Sequence, residues 1–354
     1  MIEQNKVDWM VFVSCMTFNH ASYIVDAMNG FTIQETSFPF VCAIVDDAST
    51  DGEQEVIRNY LRANFDLDDK EIVRKEETDD FSLIFARHSI NKNCYFAVLF
   101  LKYNHYKKKS KLPYISEWYD NAKYRASCEG DDFWTHPNKL KKEVDYLENH
   151  DDYAMVHTAY SRINQETQET QDIVSPHDYW NYNDNCKWAI LTNDIMVGAA
   201  TILCRTELYN QIKRDYADDY KNAKMGDVQT CFHFARLYKI HYIPEITAIY
   251  RKHAGSSTSI GSVNRYDFLK NALDVHYKLA TTYEAPEGIK KIILSRYGAS
   301  ILSVGIEYRL YDKCVALVKQ YMPRKIWLLI LLRTGHYLPS LNSAIIKRIV
   351  LRFF

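Results

Sequence analysis

The sequence predicts an α/β fold: a mostly parallel sheet flanked by helices over residues 1–255, then a helical C-terminal extension over residues 256–354. Three observations lead there. Short apolar runs of strand length alternate with helical periodicities through the first half. Two of those runs end in clustered acids, which places both at the ligand-binding edge of one sheet. Beyond Gly255-Ser256-Ser257-Thr258-Ser259 the pattern is helical only.

The elements follow in order. Val11 to Cys15 reads as a buried strand, and Ile24, Ala27, Met28 and Phe31 then recur at helical spacing. Phe40 to Val45 is a second strand, and Thr50 with Glu53 has capping-box spacing ahead of a helix carrying Val56, Ile57, Tyr60 and Leu61. Ile72 to Arg74 suggests a third strand, Tyr95 to Lys102 a helix, and Tyr124 to Cys128 a fourth strand. The loop from Lys75 to Asn93 takes no assignment. Pro137 suits the first turn of a helix with Leu140, Val144 and Leu147 inward, and Met155 to Thr158 returns as a strand. Gln165 to Trp188, polar and aromatic, reads as a long functional loop. Ala199 to Cys204 and Ala248 to Tyr250 read as strands with a helix over Phe232 to Tyr238 between them. In the extension, Tyr266, Leu269, Leu273 and Tyr277 share one helix face, and Ile292 to Leu294 and Val315 to Val318 continue the helical pattern.

Bulk composition narrows the function. With 354 residues, 47% of them hydrophobic, the chain can bury a large core. Its formal charge of -1 gives no general attraction to nucleic acid, so no nucleic-acid partner is expected. Eight cysteines without a C-x-x-C pair predict reduced thiols, and the polar start, Met1 to Asp8, predicts no secretory signal; the catalytic part is expected to be cytoplasmic. Asp79-Asp80 and the run from Lys107 to Lys111 read as solvated loop charges. The end of the chain differs in kind. Ile326 to Leu332 is apolar but too short to span a bilayer, and Leu341, Ile345, Ile349 and Phe353 form a stripe beside Lys347, Arg348 and Arg352. That is the pattern of a helix lying on an anionic membrane surface, or packing on the main domain, and it predicts a peripheral position at the cytoplasmic face of the cell membrane.

The chemistry starts with Glu129-Gly130-Asp131-Asp132. Three carboxylates in four residues repel one another unless a cation or hydrogen-bond donors lie among them, and oxygen ligands suit a hard divalent metal that holds phosphates. Val45-Asp46-Asp47-Ala48-Ser49-Thr50-Asp51-Gly52 closes the second strand with another acid pair. Taken singly, paired Asp before a helix is often turn and capping chemistry. Two such endings on one sheet suggest a shared crevice.

Met16-Thr17-Phe18-Asn19-His20, Val45 to Gly52 and Glu129-Gly130-Asp131-Asp132-Phe133-Trp134 come in the order seen in family 2 glycosyltransferases, of the type acting in bacterial surface-polysaccharide synthesis. The chain resembles these GT-A fold, nucleotide-diphospho-sugar enzymes also through Pro137 to Asp152, Ala199 to Leu208, Gly226-Asp227 and Tyr250-Arg251-Lys252-His253, about its first 255 residues. The resemblance implies inverting, metal-assisted transfer of a sugar from a nucleotide-diphosphate donor to a saccharide or lipid-linked acceptor hydroxyl. Phe18 is implied to stack on the base and Asp47 to hydrogen-bond it. Asp131 is implied as a ligand of Mg²⁺ or Mn²⁺, with Glu129, where the strict motif has Asp, and His253 beside it; Asp132 is implied as a ligand or ribose contact and Arg251 as a phosphate fork. Asp227 matches the general base, and it also reads as a cap for the helix that starts there. Two other classes stay open. A nucleotidyltransferase would also place metal-binding acids at a sheet edge, although Met16 to Ser22 lacks the Gly-rich loop it would use. An inactive nucleotide- or glycan-binding module would share the fold without the reaction.

Overall fold

The structure, a computed structural model, describes residues 8–106, 108–176, 186–255 and 263–323, together with 325, 328 and 332. The chain divides into two compact units: residues 1–183, 196–215 and 234–251 form the first, and residues 184–195, 216–233 and 252–354 the second.

The first unit opens with β1 (Trp9–Thr17), α1 (Ile24–Thr32), β2 (Phe40–Asp46) and α2 (Glu53–Asn64). Ile24, Ala27, Met28 and Phe31 are all fully buried, as their helical spacing requires. Glu53 is no capping-box residue. Gly52, at φ 91°, stands at the N-cap instead, and the Glu53 side chain turns inward toward the loop after β1. Next come β3 (Arg74–Glu77), β4 (Phe81–Arg87), β5 (Cys94–Leu101), α3 (Leu112–Tyr119), β6 (Ala122–Ser127) and β7 (Phe133–Trp134).

Three of these depart from the sequence reading. Tyr95 to Lys102 is strand, not helix: Cys94–Leu101 is an eight-residue apolar run buried on both sides, and such a run has no period that separates the two states. The strand expected at Ile72 begins at Arg74. The unassigned stretch from Lys75 to Asn93 contains most of an antiparallel hairpin, β3–β4, added beside β5.

The unit continues through α4 (Lys139–Glu148), β8 (Tyr153–Asn164) and β9 (Thr170–Ile173). The expected long loop after Gln165 is therefore in part a β8–β9 hairpin, with Tyr160 paired to Ile173. Residues 177–185 of that stretch lie outside the described residues, and α5 (Cys186–Thr192) follows them. Ala199 to Thr201 forms a 3₁₀ turn before β10 (Leu203–Arg205), so the strand expected from Ala199 starts later. Then come α6 (Thr206–Asp215), α7 (Ala217–Tyr220), α8 (Asp227–Leu237) and the long β11 (Lys239–Lys252).

The strands make one sheet in the order β3-β4-β5-β2-β1-β6-β10-β8-β11-β7, with β9 on β8. Its centre, β5-β2-β1-β6, is parallel, with Thr17 beside Asp46 and Ser14 beside Ser127. Successive residues of β1 and β2 face opposite cores. Val11, Val13, Cys15, Cys42 and Ile44 pack with α1, while Phe12, Val41, Ala43 and Val45 pack with Ile115, Trp118 and Tyr119 of α3. At about 25 cal/mol per Å², this two-sided burial is the main force holding the C-terminal strand ends in line.

The second unit is helical. It contains α5, α7, the start of α8, α9 (Val263–Thr282), α10 (Glu287–Glu307) and α11 (Tyr311–Tyr321). Tyr266 and Leu273 are buried with Leu269 and Tyr277 packed on the same core, which is the face their spacing predicts, and Ile301, Leu302, Cys314 and Leu317 complete it. All eight cysteines are buried, and none is joined in a disulfide. No helix among the described residues is long and apolar enough to cross a membrane. The amphipathic tail from Leu341 to Phe353, and Ser256 to Ser259, lie outside the described residues.

Candidate active site

Parallel strands carry their binding groups at their C-terminal edge, because the turns into the following helices gather there. In the first unit, β1 delivers Thr17-Phe18-Asn19-His20 to that edge, β2 delivers Asp46-Asp47, and β6 leads into Glu129 to Asp132. These three strands are neighbours, so the two acidic clusters seen in the sequence share one edge.

The loops after β1 and β2 are tied to each other. Asn19, in the left-handed region at φ 57°, donates its N–H to Ser49 Oγ at 2.8 Å and accepts the Thr50 N–H on Oδ1 at 2.8 Å. Glu53 accepts the Thr17 hydroxyl on one oxygen and the His20 N–H and the Ser49 hydroxyl, each at 2.8 Å, on the other. Burial raises the carboxyl pKa of Glu53, and of Asp46, whose oxygens accept the Ser49 N–H at 2.9 and 3.1 Å. Both acids of this loop pair are therefore spent on shaping backbone.

Asp47 is nearly buried and doubly held. Oδ1 accepts the His105 N–H at 2.7 Å, and Oδ2 lies 2.7 Å from Lys111 Nζ. An ionised carboxylate has about four lone-pair directions, so each oxygen can accept one bond more. Phe18, one residue past β1, is 42% exposed, which an aromatic ring meant to receive a ligand face requires and a core ring does not. Lys111 went unnoticed in the sequence, where it closes a basic run read as solvated charge; only the fold brings it to Asp47.

In the tetrad, each acid has a different setting. Glu129 is exposed, Asp131 is half-buried with Oδ2 3.8 Å from His20 Nε2, and Asp132 is buried. Burial, and then the neighbouring Asp131 charge, push the Asp132 carboxyl up to about 8, against the Arg251 N–H that donates to its Oδ1 at 2.8 Å. Arg251 itself is buried. Its guanidinium donates to Asp26 Oδ2 at 2.7 Å and to the Asp131 carbonyl at 3.2 Å, and lies 4.7 and 4.8 Å from the ring centres of Tyr23 and Phe133. It braces the tetrad from behind. Trp134 anchors the next residues by donating from Nε1 to the Ala200 carbonyl at 2.7 Å. His253 directly follows the last residue of β11, and its Nδ1 accepts the Gly255 N–H at 3.2 Å.

Asp227 is the first residue of α8 and belongs to the second unit. The turn before it is clamped within that unit by Asn271 of α9, which donates to the Asn222 carbonyl and accepts the Lys224 N–H, both at 2.8 Å.

The donor set on the first unit suits a hard divalent cation. Asp131 offers carboxylate oxygens, and His20, 3.8 Å away, an imidazole nitrogen, which Mn²⁺ accepts more readily than Mg²⁺.

No family model matches the chain. Over 239 residues, 68% of this chain, it is 27% identical to uncharacterized proteins of Mycobacterium bovis and Mycobacterium tuberculosis, and the match spans 58% of those relatives' length. Among solved structures it resembles TarS residues 1-349 of S. aureus in complex with UDP-GlcNAc, at a TM-score of 0.51 and 15% identity, over 92% of this chain and 88% of that one. The same TarS segment in complex with UDP matches at a TM-score of 0.51 and 14% identity, over 97% and 90% of the two chains. At that identity the likeness is one of fold, and it agrees with the parallel centre, the added antiparallel strands and the acid-bearing edge described above: the chain has the GT-A fold of nucleotide-sugar glycosyltransferases.

Proposed function

We propose that the chain is a metal-assisted, inverting glycosyltransferase, transferring a sugar from a nucleotide-diphosphate donor to a hydroxyl of a saccharide or lipid-linked acceptor in surface-polysaccharide synthesis. One observation carries the proposal: on a GT-A fold, a held but unsaturated carboxylate, Asp47, and a half-buried one, Asp131, follow the two strands that flank β1, at a single sheet edge. UDP-GlcNAc and UDP in the TarS complexes make uridine nucleotides the first donors to test.

Each residue then has a task. Phe18 offers a face to the base and Asp47 an acceptor to a ring N–H. Asp131, Glu129 and His20 face the diphosphate end, and the resemblance adds His253. Mg²⁺ or Mn²⁺ held there would supply positive charge against the departing nucleoside diphosphate. Asp132 and Arg251 we assign to bracing Asp131, since the Arg251 fork already serves Asp26 and the Asp131 carbonyl. Asp227 takes the proton from the acceptor hydroxyl as that oxygen attacks the anomeric carbon opposite the diphosphate; a single displacement inverts that centre. The basic tail we assign to anionic membrane at the cytoplasmic face. Removing residues 325–354 should then move the protein from the membrane fraction to the supernatant, and no movement would refute that assignment.

The decisive measurement is a thermal-shift screen of UDP-, GDP- and dTDP-sugars with and without Mn²⁺. A ligand bound only by the native state at about 100 times its Kd adds about 2.7 kcal/mol of apparent stability. One donor class should raise Tm, and more so with Mn²⁺. No shift with any donor would sink the proposal.

A further inference from the structure

The β3–β4 hairpin has no part in the reaction just described, yet its turn reaches the segment that holds Asp47. Phe81 pairs with Leu101 across β4 and β5, so the turn carrying Asp80 stands over the C-terminal end of β5, on the same edge as Asp47. Thr78 builds that turn, its Oγ1 accepting the N–H groups of Asp80 and Phe81 at 3.2 and 3.0 Å. The Asp80 carboxylate then gathers three donors from the segment beyond β5: the Tyr103 hydroxyl, the Tyr114 hydroxyl at 2.9 Å and Lys109 Nζ at 2.6 Å.

Those bonds join the other polar ties of the segment, the Lys102 N–H on the Asp80 carbonyl at 2.9 Å and the Asn104 side-chain amide on the Asp47 carbonyl at 3.0 Å, in a stretch with little apolar burial. Among its described residues between Lys102 and Lys111, only His105 is buried. A stretch with so few apolar contacts takes its order from polar ties. His105 links both ends of the chain of contacts. Its ring stacks on Tyr103 at 4.5 Å and meets the Tyr114 hydroxyl at 3.2 Å, and its backbone N–H donates to Asp47. Lys111, the other partner of Asp47, ends the same segment.

We propose that Asp80 is a positioning residue for base recognition: by fixing the Tyr103 to Tyr114 segment it sets the two donors, His105 N–H and Lys111, that orient the Asp47 carboxylate. The proposal rests on Asp47 being the base contact. The test compares Kd for UDP and for pyrophosphate, both with Mn²⁺, in wild type, Asp80→Ala and Tyr114→Phe. Loss of partly exposed hydrogen bonds of this kind should raise the UDP Kd about tenfold in Asp80→Ala and about threefold in Tyr114→Phe. Pyrophosphate, which has no base, should bind all three alike. Tyr114→Phe keeps the ring against Phe81 and removes only the hydroxyl that joins Asp80 to His105, so it tests the same tie if Asp80→Ala does not fold. UDP binding unchanged in the variants, or UDP and pyrophosphate weakened equally, would overturn the proposal. Wild type that binds pyrophosphate but neither UDP nor GDP would instead remove the base-pocket assignment beneath it.

Discussion

Gly130 and Thr17 are packed so closely that a Cβ on Gly130 would lie 2.2 Å from Thr17 Oγ1 and 2.6 Å from Thr17 Cβ. The Gly130 N–H also donates to the Met16 carbonyl at 3.0 Å, so the tetrad lies directly against the end of β1. Thr17 in turn donates to Glu53, the acid that holds His20 and Ser49. The glycine between the two outer acids of the motif is thus what lets the loops after β1, β2 and β6 close on each other.

Gly130→Ala should therefore cost more than a surface substitution. Overpacking of this kind costs about 1–3 kcal/mol, since Thr17 cannot move without breaking its bond to Glu53. Urea unfolding should show a lower midpoint at unchanged slope, with donor affinity falling too. A variant as stable as wild type would mean the tetrad can shift away from β1 freely.

Asp131→Asn keeps the size of the side chain and removes its charge. Stability should change little, since Asp131 is half-buried, but metal-dependent donor binding and transfer should fall by about 10²–10³-fold, the usual loss when a group that stabilises developing charge is removed. Glu129→Gln, at an exposed position, should lose far less. Equal losses in the two variants would show that both acids hold the cation equally.

Much of this arrangement was legible in the chain itself, and the exceptions have physical causes. Val11 to Cys15, Phe40 to Val45 and Tyr124 to Cys128 could be read as strands because acids or turn residues bound each run, and those acids marked the site edge. Cys94–Leu101 misled because a strand buried on both faces loses the period-two signature. Lys111, His105 and Asp80 were not recoverable. Their roles come from pairing across β2, β5 and the β3–β4 turn, contacts made at sequence separations that no local pattern encodes. Arg251 shows the reverse case: its motif position was plain, but its burial under Tyr23 and Phe133 could not be seen.

Acid should weaken the fold in part through His157. It is fully buried, and burial, with a smaller contribution from His241, depresses its pKa to about 3 from an ordinary value near 6.5. Between those values the unfolded chain binds the proton and the native chain does not. Stability is therefore lost as pH falls through that window, by up to about 1.4 kcal/mol per pH unit from this one group. In His157→Gln that contribution is absent, so urea midpoints of variant and wild type should converge as pH is lowered from 7 to 5. A constant gap between them would show that His157 does not titrate on unfolding.

Asp227 offers the sharpest separation of chemistry from structure, because the two roles assigned to the first residue of α8 respond differently to one substitution. Asn satisfies helix N-terminal N–H groups about as well as Asp, so Asp227→Asn leaves a capping role nearly intact. It cannot accept a proton at neutral pH. If Asp227 is the general base, kcat should fall by about 10²–10⁴-fold while donor Kd and the urea midpoint stay near wild type. The acidic limb of the pH profile for kcat/KM should disappear with it, since that limb reports protonation of the base. Product configuration, read by NMR on the wild-type reaction, should be inverted relative to the donor. A variant that keeps its turnover but loses stability would make Asp227 a cap and move the search for the base elsewhere.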